Sequence, residues 1–420
     1  MPAAPLPSVV ERRVVILVAL VQLVNVLDFV MVMPLGPDFA RALAIDESRL
    51  GWVGGSYTAA AAVSGLLSAR FLDRFDRRSA LAVAMLGLVC ATAAGGFAQG
   101  LTSMMVARVA AGMFGGPATS LALAIVPAER RGKAMGVVMA AFSVASVVGV
   151  PAGLAAAQAG SWRTPFFALA VLGLAVTAYA VSQLPSMRLH LGGPRTAGTP
   201  TLELLRRREM QLMLAAAGAM TFSIFMIVPY VRTFIVNNHG YPDAEIMYLY
   251  LAGGTGSFLV VQFTGRAVDR FGSTPVAAFG TALVTACLLV GFLPAHPIVP
   301  VMVVFTAYMS TASLRGVPIS TLASRIPAPG ERAQYMSMQS AVQHIASSIG
   351  AIGAAQILAT DPVDQRLLHM PVAVAIATGV SLTVPFLLWS VERRVRARTV
   401  APAVSELRND DGAAEAAPIA

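Results

Sequence analysis

Three charged side chains stand inside stretches that otherwise carry no charge: Asp28 within residues 14–36, Arg108 within 102–126 and Arg315 within 298–321. A carboxylate held partly away from water gains or loses a proton as its surroundings change, because desolvation raises its pKa and a nearby cation lowers it. Arginine stays charged across biological pH and can only tune a neighbour that titrates. Asp28 is therefore the candidate proton carrier, and Arg108 a candidate to tune such a group. The competing reading of both is a permanent ion pair that ties the fold together. Arg315 either faces a ligand or snorkels its charge toward the nearer surface. Further along, Gln339, Gln343 and Ser347 recur every four residues, with Ser340 and His344 one position on. That spacing gives a helix one polar stripe. The stripe is either a ligand-facing surface or a set of interhelical hydrogen bonds. His344 titrates near neutral pH and is a second proton-relay candidate. Gln22 and Asn25 join Arg315, Gln339 and Gln343 as candidates to line a cavity.

The elements that must position these residues follow from composition. Of 420 residues, 56% are hydrophobic and 12% are charged, whereas soluble domains carry about 25% charged residues. A water-soluble fold would run out of polar surface. The apolar residues also fall into blocks of the roughly 20 residues that a spanning helix needs. Helices are expected over 14–36, 48–69, 79–100, 102–126, 133–156, 164–184, 210–231, 245–265, 275–294, 298–321, 335–358 and 369–390. Twelve such helices with short loops use up the chain, which reads as an all-α polytopic membrane protein.

The net charge of +9 could suggest nucleic acid as a partner, but the basic residues follow topology instead. The N-terminus, the even-numbered loops and the C-terminus hold 23 of the 30 Lys and Arg residues. Lys and Arg accumulate on the cytoplasmic side of membrane proteins, so both termini are expected in the cytoplasm and nucleic-acid binding is excluded. Arg12 and Arg13 precede an apolar stretch too long for a cleaved signal peptide, which is read as a retained first helix. Cys90 and Cys287 fall inside expected helices and are read as packing groups, with neither a disulfide nor a metal assigned. Trp52, Trp162 and Trp389 fall at expected helix ends, where Trp prefers the membrane boundary.

Residues 185–209, rich in Pro, Gly, Thr and Arg, form the longest loop and read as a cytoplasmic linker. It separates an N-terminal six-helix half, 1–184, from a C-terminal six-helix half, 210–392; the tail 393–420 is expected to be cytoplasmic and disordered. Asp73-Arg74-Phe75 recurs as Asp269-Arg270-Phe271, and Pro127-Ala128 with Glu129, Arg130 and Arg131 is echoed by Pro327-Ala328 with Glu331 and Arg332. Both echoes involve charged loop residues at nearly the same separation, so the halves are read as a parallel duplication.

Four segments carry a family resemblance. Ala69-Arg70-Phe71-Leu72-Asp73-Arg74-Phe75-Asp76-Arg77-Arg78 resembles the major facilitator loop signature G-x-L-x-D-R-x-G-R-R, with Ala69 and Asp76 where the pattern has Gly. Its second copy, Gly265 to Gly272, keeps both glycines and lacks the trailing basic pair. Arg108-Val109-Ala110-Ala111-Gly112 resembles the family element R-x-x-x-G. Gly149-Val150-Pro151-Ala152-Gly153, followed by Trp162, Arg163 and Phe166, is similar to the helix 5 signature of twelve-helix antiporters, with Val150 inserted before the proline. Asn25 to Phe29 and Met33-Pro34-Leu35 look like the arabinose-efflux and drug-efflux branch.

The resemblance implies a major facilitator fold: twelve transmembrane helices as two six-helix parallel repeats around a central cavity. It implies that Asp73, Arg74, Arg77, Arg78, Glu129, Asp269 and Arg270 latch the cytoplasmic helix ends, with Arg77 meeting Glu129, and that Gly149, Pro151 and Gly153 form a gating bend in helix 5. It also implies proton-coupled efflux, by antiport, of a small molecule such as a drug or sugar across a bacterial-type inner membrane. The alternatives are uptake by proton symport or uniport, and a receptor or scaffold that does not transport. A scaffold has no need of charge inside the membrane. No phosphate loop, clustered metal ligands or nucleophile motif stands out, so the chain is not read as an enzyme and no cofactor or metal is expected. The expected partners are the small-molecule substrate, protons and the lipid bilayer, with the chain as a monomer.

Overall fold

The computed structural model describes residues 8–71, 75–124, 141–184, 201–293, 297–328 and 331–414; side chains are described for these except 8–15, 68–71, 119–120, 122–124, 201–202, 333 and 396–414. Among the described residues, twelve long helices occupy the expected places. We number them α1 (Ser8–Met31), α2 (Leu50–Phe71), α3 (Arg77–Gly96), α4 (Leu101–Ala124), α5 (Ala141–Ala159), α6 (Thr164–Gln183), α7 (Arg208–Asn238, broken), α8 (Ile246–Phe271), α9 (Ser273–Phe292), α10 (Val301–Arg325), α11 (Arg332–Ile357) and α12 (Met370–Ala414). Seven are both long and apolar enough to cross a membrane outright, or eight with α1 and its bent continuation counted as one span. The remaining four, α2, α4, α10 and α11, are as long. They dilute their apolar residues with Gly, Ser and Thr, and α4, α10 and α11 also carry Arg108, Arg315 and the glutamines of the polar stripe.

Three boundaries differ from expectation in a way that changes the architecture. The first helix stops at Met31 and the chain turns into a short helix, Gly36–Ala42, bent by 57°. Pro34 lies in the turn, and Pro37 opens the short helix, where its missing N–H costs nothing. The seventh helix runs past 231 to Asn238, interrupted by a tighter turn at Val228–Tyr230 that contains Pro229. The twelfth continues to Ala414, through the segment expected to be disordered. Its Ala, Glu, Leu and Arg content favours helix, so low hydropathy there does not prevent helix formation. Trp389, expected at a helix end, consequently sits within α12.

Helices α1 to α6 pack among themselves, as do α7 to α12, and two crossings join the halves: α2 against α11 and α5 against α8. Both are backbone-close. A Cβ on Gly51 would lie 2.0 Å from the Ala351 carbonyl oxygen, and one on Gly254 would lie 2.6 Å from that of Ser146. These contacts gather at the end of the molecule remote from both chain termini. There the short hairpin β1 (Ala359–Thr360) and β2 (Leu367–Leu368) covers the seam, with Thr360 donating to the Asp46 carboxylate at 2.6 Å. The outer faces of the bundle are apolar: Val106, Val171, Phe263, Phe279 and Phe386 are all more than half exposed. Such a surface suits lipid, which cannot solvate backbone or charge and does not penalise exposed side-chain carbon.

Candidate functional site

The two intramembrane charges of the first half meet. Asp28 on α1 and Arg108 on α4 are 0% and 2% exposed. Arg108 Nη1 donates to Asp28 Oδ2 at 3.0 Å, and its Nη2 donates to the Asp28 backbone carbonyl at 3.1 Å. Thr92 of α3 donates its hydroxyl to the other carboxylate oxygen at 2.7 Å. Both carboxylate oxygens are thus occupied, which is what a buried ion pair needs to survive its desolvation. The face of Tyr57 on α2 covers the guanidinium at 4.5 Å. The Tyr57 hydroxyl donates to Asn25 Oδ1 at 3.1 Å, and Asn25 Nδ2 donates to the Gly115 carbonyl at 3.0 Å. Four helices of the first half therefore converge on one polar core. Gln22, also on α1, is buried nearby in sequence, two turns before Asp28.

An aromatic stack connects this core to the second half. Phe29, next to Asp28, stacks on Tyr57 at 5.2 Å and on Phe225 of α7 at 5.5 Å. Phe225 is the last residue before the break in α7. On α11, helical geometry of about 100° per residue places the exposed Ile345 and Ile349 on one side and Gln343, His344, Ser340 and Ser347 on another. Gln343 and His344 are half-buried there, while Gln339 is buried toward α7. The stripe read from the sequence is one face, turned away from the lipid-facing isoleucines.

Arg315 does not join these residues. Its side chain lies against Gly280 of α9, and its Nη1 donates to the Ser381 hydroxyl of α12. It therefore points into the interior of the second half rather than toward a cavity between the halves. Neither alternative weighed from the sequence fits, because a residue 1% exposed is not snorkelling either. A helix fixes azimuth, and spacing to the next arginine cannot reveal which neighbours fill that side.

The glycines of helix 5 serve a tight approach to α1. A Cβ on Gly149 would lie 2.0 Å from Leu27, and one on Gly153 would lie 2.6 Å from the Met31 sulfur. Just before Val150 and Pro151 the helix widens into a π turn, Ala145–Gly149. Proline removes one N–H and crowds the carbonyl a turn earlier, and the wider turn relieves that conflict. Of the latch residues, Asp73, Arg74 and Glu129 lie outside the described residues, so the Arg77–Glu129 contact does too. Arg78 donates to the Val181 carbonyl at 2.6 Å. Asp269 pairs with Arg325 at 3.7 Å with both side chains mostly exposed, and Arg270 rests over the Phe271 ring at 5.3 Å. Exposed pairs of this kind contribute little to stability. Nearby, Arg207 clamps Glu331 with two bonds, at 2.8 and 2.9 Å, tying the end of the linker to the start of α11.

Sequence reasoning missed a second charged cluster, at the sealed end. Arg232 of α7 is 3% exposed and donates to Asp38 at 2.6 and 2.8 Å and to Asp243 at 2.8 Å, as well as to the Pro34 carbonyl. Arg41 adds a bond to Asp243 at 2.8 Å. Asp38 belongs to the first half and Arg232 to the second, so this arginine bolts the halves together. The signal available was an arginine at the end of an apolar helix on the side poor in basic residues. Alongside, burial pushes the Glu47 carboxyl above the usual glutamate range, and its hydrogen bond from Asn237 at 3.2 Å offsets this only in part. An apolar cleft between Ile235, Phe292, Val301 and Phe305 lies beside this end and contains none of the expected cavity residues.

Comparison with known proteins gives this geometry a context. The chloramphenicol resistance protein of Streptomyces lividans is 27% identical over 340 residues, covering 78% of this chain and 84% of that protein. The purine ribonucleoside efflux pump NepI of Salmonella typhimurium is 27% identical over 266 residues, covering 62% of this chain and 65% of the pump. A bacterial homolog of the human lysosomal transporter Spinster, in an inward-facing and occupied conformation, shares the fold with a TM-score of 0.69 at 15% identity, over 92% of this chain and 98% of that one. The nucleoside transporter NupG does so with a TM-score of 0.71 at 13% identity, over 90% and 99%. The family model for the Major Facilitator Superfamily matches residues 18–351, which takes in helices from each half and the polar core. Twelve helices in two packed halves, a buried charge pair on α1 and α4, and a family match over most of the length make this chain a member of the Major Facilitator Superfamily, a multi-pass membrane transporter.

Proposed function

We propose that this protein exports a small molecule across the inner membrane by alternating access, in exchange for protons moving inward, with Asp28 as the proton carrier. The observation that carries the reading is the Asp28–Arg108 pair, which is enclosed in the bundle yet one residue from the Phe29 ring that touches α7. A proton on Asp28 removes the charge that balances Arg108, and a buried unbalanced guanidinium costs several kcal/mol by typical estimates. The pair must then loosen or rehydrate, and Phe29 and Tyr57 are the groups it would move against the second half. On this reading the basic loops orient the termini toward the cytoplasm, so the sealed end faces outward. This reading gives the substrate to the polar face of α11, with Gln343 and His344, and to Asn25 on α1. Relatives named for chloramphenicol resistance and purine ribonucleoside efflux support export over uptake. The glycine and proline pattern of helix 5 supports antiport.

The test uses inverted vesicles acidified inside, with radiolabelled chloramphenicol and adenosine as probes. Wild type accumulates its substrate, and Asp28→Asn loses gradient-driven accumulation while retaining exchange of substrate down its own gradient. Asp28→Glu keeps part of the coupling, since the titrating group survives. Gradient-driven accumulation by Asp28→Asn at the wild-type rate would move the coupling elsewhere, with His344 the next residue to replace.

A further inference from the structure

The second half holds a buried cation with no carboxylate to balance it. Among the described residues, Arg315 forms no ion pair; Nη1 donates to Ser381, and Nε has no hydrogen-bond partner. The surroundings are hydroxyls. Thr281 and Thr285 on α9, Tyr308 on α10 and Thr378 on α12 each carry a buried hydroxyl oxygen that lacks a partner. They lie together. Gly280, the neighbour of Thr281, packs on the Arg315 stem, and Gly291 packs on Val304, so α9 and α10 run antiparallel at close range. Thr285 is therefore one turn nearer the sealed end than Thr281, as Thr378 is one turn nearer than Ser381, and Tyr308 is two turns before Arg315. A helical side chain leans toward its own N-terminus, which carries the guanidinium into this layer. Tyr308 feels the Arg315 charge.

A guanidinium keeps its proton, so it cannot escape the cost of burial by neutralising. Membrane helices tolerate such a charge when a partner or a polar cavity receives it. Every unpartnered group here is a donor or a hydroxyl that can turn its hydrogen inward, and the backbone carbonyls are already engaged in the helices. One positive charge in a layer of hydroxyls matches one small negative charge. We propose that Arg315, Thr281, Tyr308, Thr378 and Ser381 form a binding site for a small monovalent anion of the halide class, enclosed between α9, α10 and α12. The site is separate from the proton-coupling core, because Arg315 faces away from the first half. It stabilises the second half as a rigid body through the transport cycle.

The experiment follows thermal unfolding of the purified full chain in detergent at constant ionic strength as sodium gluconate is replaced by sodium chloride or bromide, with equilibrium binding of radioactive chloride in parallel. Wild type should show a saturable rise in melting midpoint and saturable chloride binding. Arg315→Met should lose both. Thr281→Val removes one donor and keeps the charge and the packing volume, and should weaken the halide response roughly tenfold, the size of one charged hydrogen bond. It covers the case in which Arg315→Met fails to fold. A wild-type midpoint indifferent to halide, or a Thr281→Val variant with unchanged halide affinity, would overturn the site.

Discussion

Arg108 and Arg315 occupy corresponding helices of the two halves, and the two halves treat them differently. On α4, Arg108 meets Asp28, and the neighbouring hydroxyls of Thr92 and Tyr57 complete a network built from four helices. On α10, Arg315 meets the Ser381 hydroxyl and, among the described residues, no carboxylate. The positions within the helices also differ: Arg108 follows the start of α4 by two turns, while Arg315 follows the start of α10 by four. A duplicated architecture has thus kept its helices in register and moved its charges. The first half balances its cation internally with a group that titrates, and the second balances its own with groups that do not.

The strongest test of that difference removes the balance. Asp28→Leu leaves Arg108 buried and unpaired and should cost about 3–5 kcal/mol of stability, and Asp28→Leu with Arg108→Leu should recover most of it, as replaced buried pairs do. Arg315→Met in halide-free buffer should cost far less, because it leaves behind only the Ser381 hydroxyl and no charge. Thermal unfolding in detergent reads all three, and equal losses for Asp28→Leu and Arg315→Met would erase the distinction between the halves. The second test converts one site into the other. Ser381→Asp gives Arg315 a carboxylate at the position it already reaches, and should raise stability by about 1.5–3 kcal/mol, the range for hydrogen bonds to charged groups. It should also abolish the response to halide.

A smaller effect sharpens the account of the first half. Tyr57→Phe keeps the ring over Arg108 and deletes the bond to Asn25, at a cost near the average of about 0.6 kcal/mol for polar contacts between membrane helices. A loss several times larger would mean that the hydroxyl supports the ion pair directly. The sealed end supplies a control outside both cores. Burial raises the Glu47 pKa, so the seal favours the protonated form. That contribution is complete below the ordinary value of 4.5 and fades as pH rises through the raised one. Acidification toward that value should therefore strengthen the seal slightly, measured as slower labelling of a cysteine placed under the hairpin. Glu47→Gln should flatten the pH dependence without touching the halide response.

The stripe on α11 was legible because four-residue spacing fixes a helical face whatever packs beside it. The break in the first helix was marked by Pro34 and Pro37 and was still missed, since hydropathy continues through both prolines. The clamp made by Arg232 was harder. Its carboxylates, Asp38 and Asp243, lie in connecting segments, one of them in the other half of the chain, and no periodicity relates them.

Composition by itself determined that this chain lives in a membrane: apolar blocks of spanning length leave a helix no other way to satisfy its backbone. The same blocks gave the number of spans, and the repeated loop charges gave the duplication. Local pattern also found Asp28, Arg108 and Arg315 as charges that needed an explanation. It could not supply the partners. Which side of a helix faces a neighbour, and which neighbour, depends on how twelve rods pack around one another, and a rotation of a fraction of a turn sends a side chain to a carboxylate, a cavity or lipid. Only the tertiary structure gave Arg108 an anion and Arg315 a hydroxyl, because pairing inside the membrane is decided by the azimuth of several helices at once.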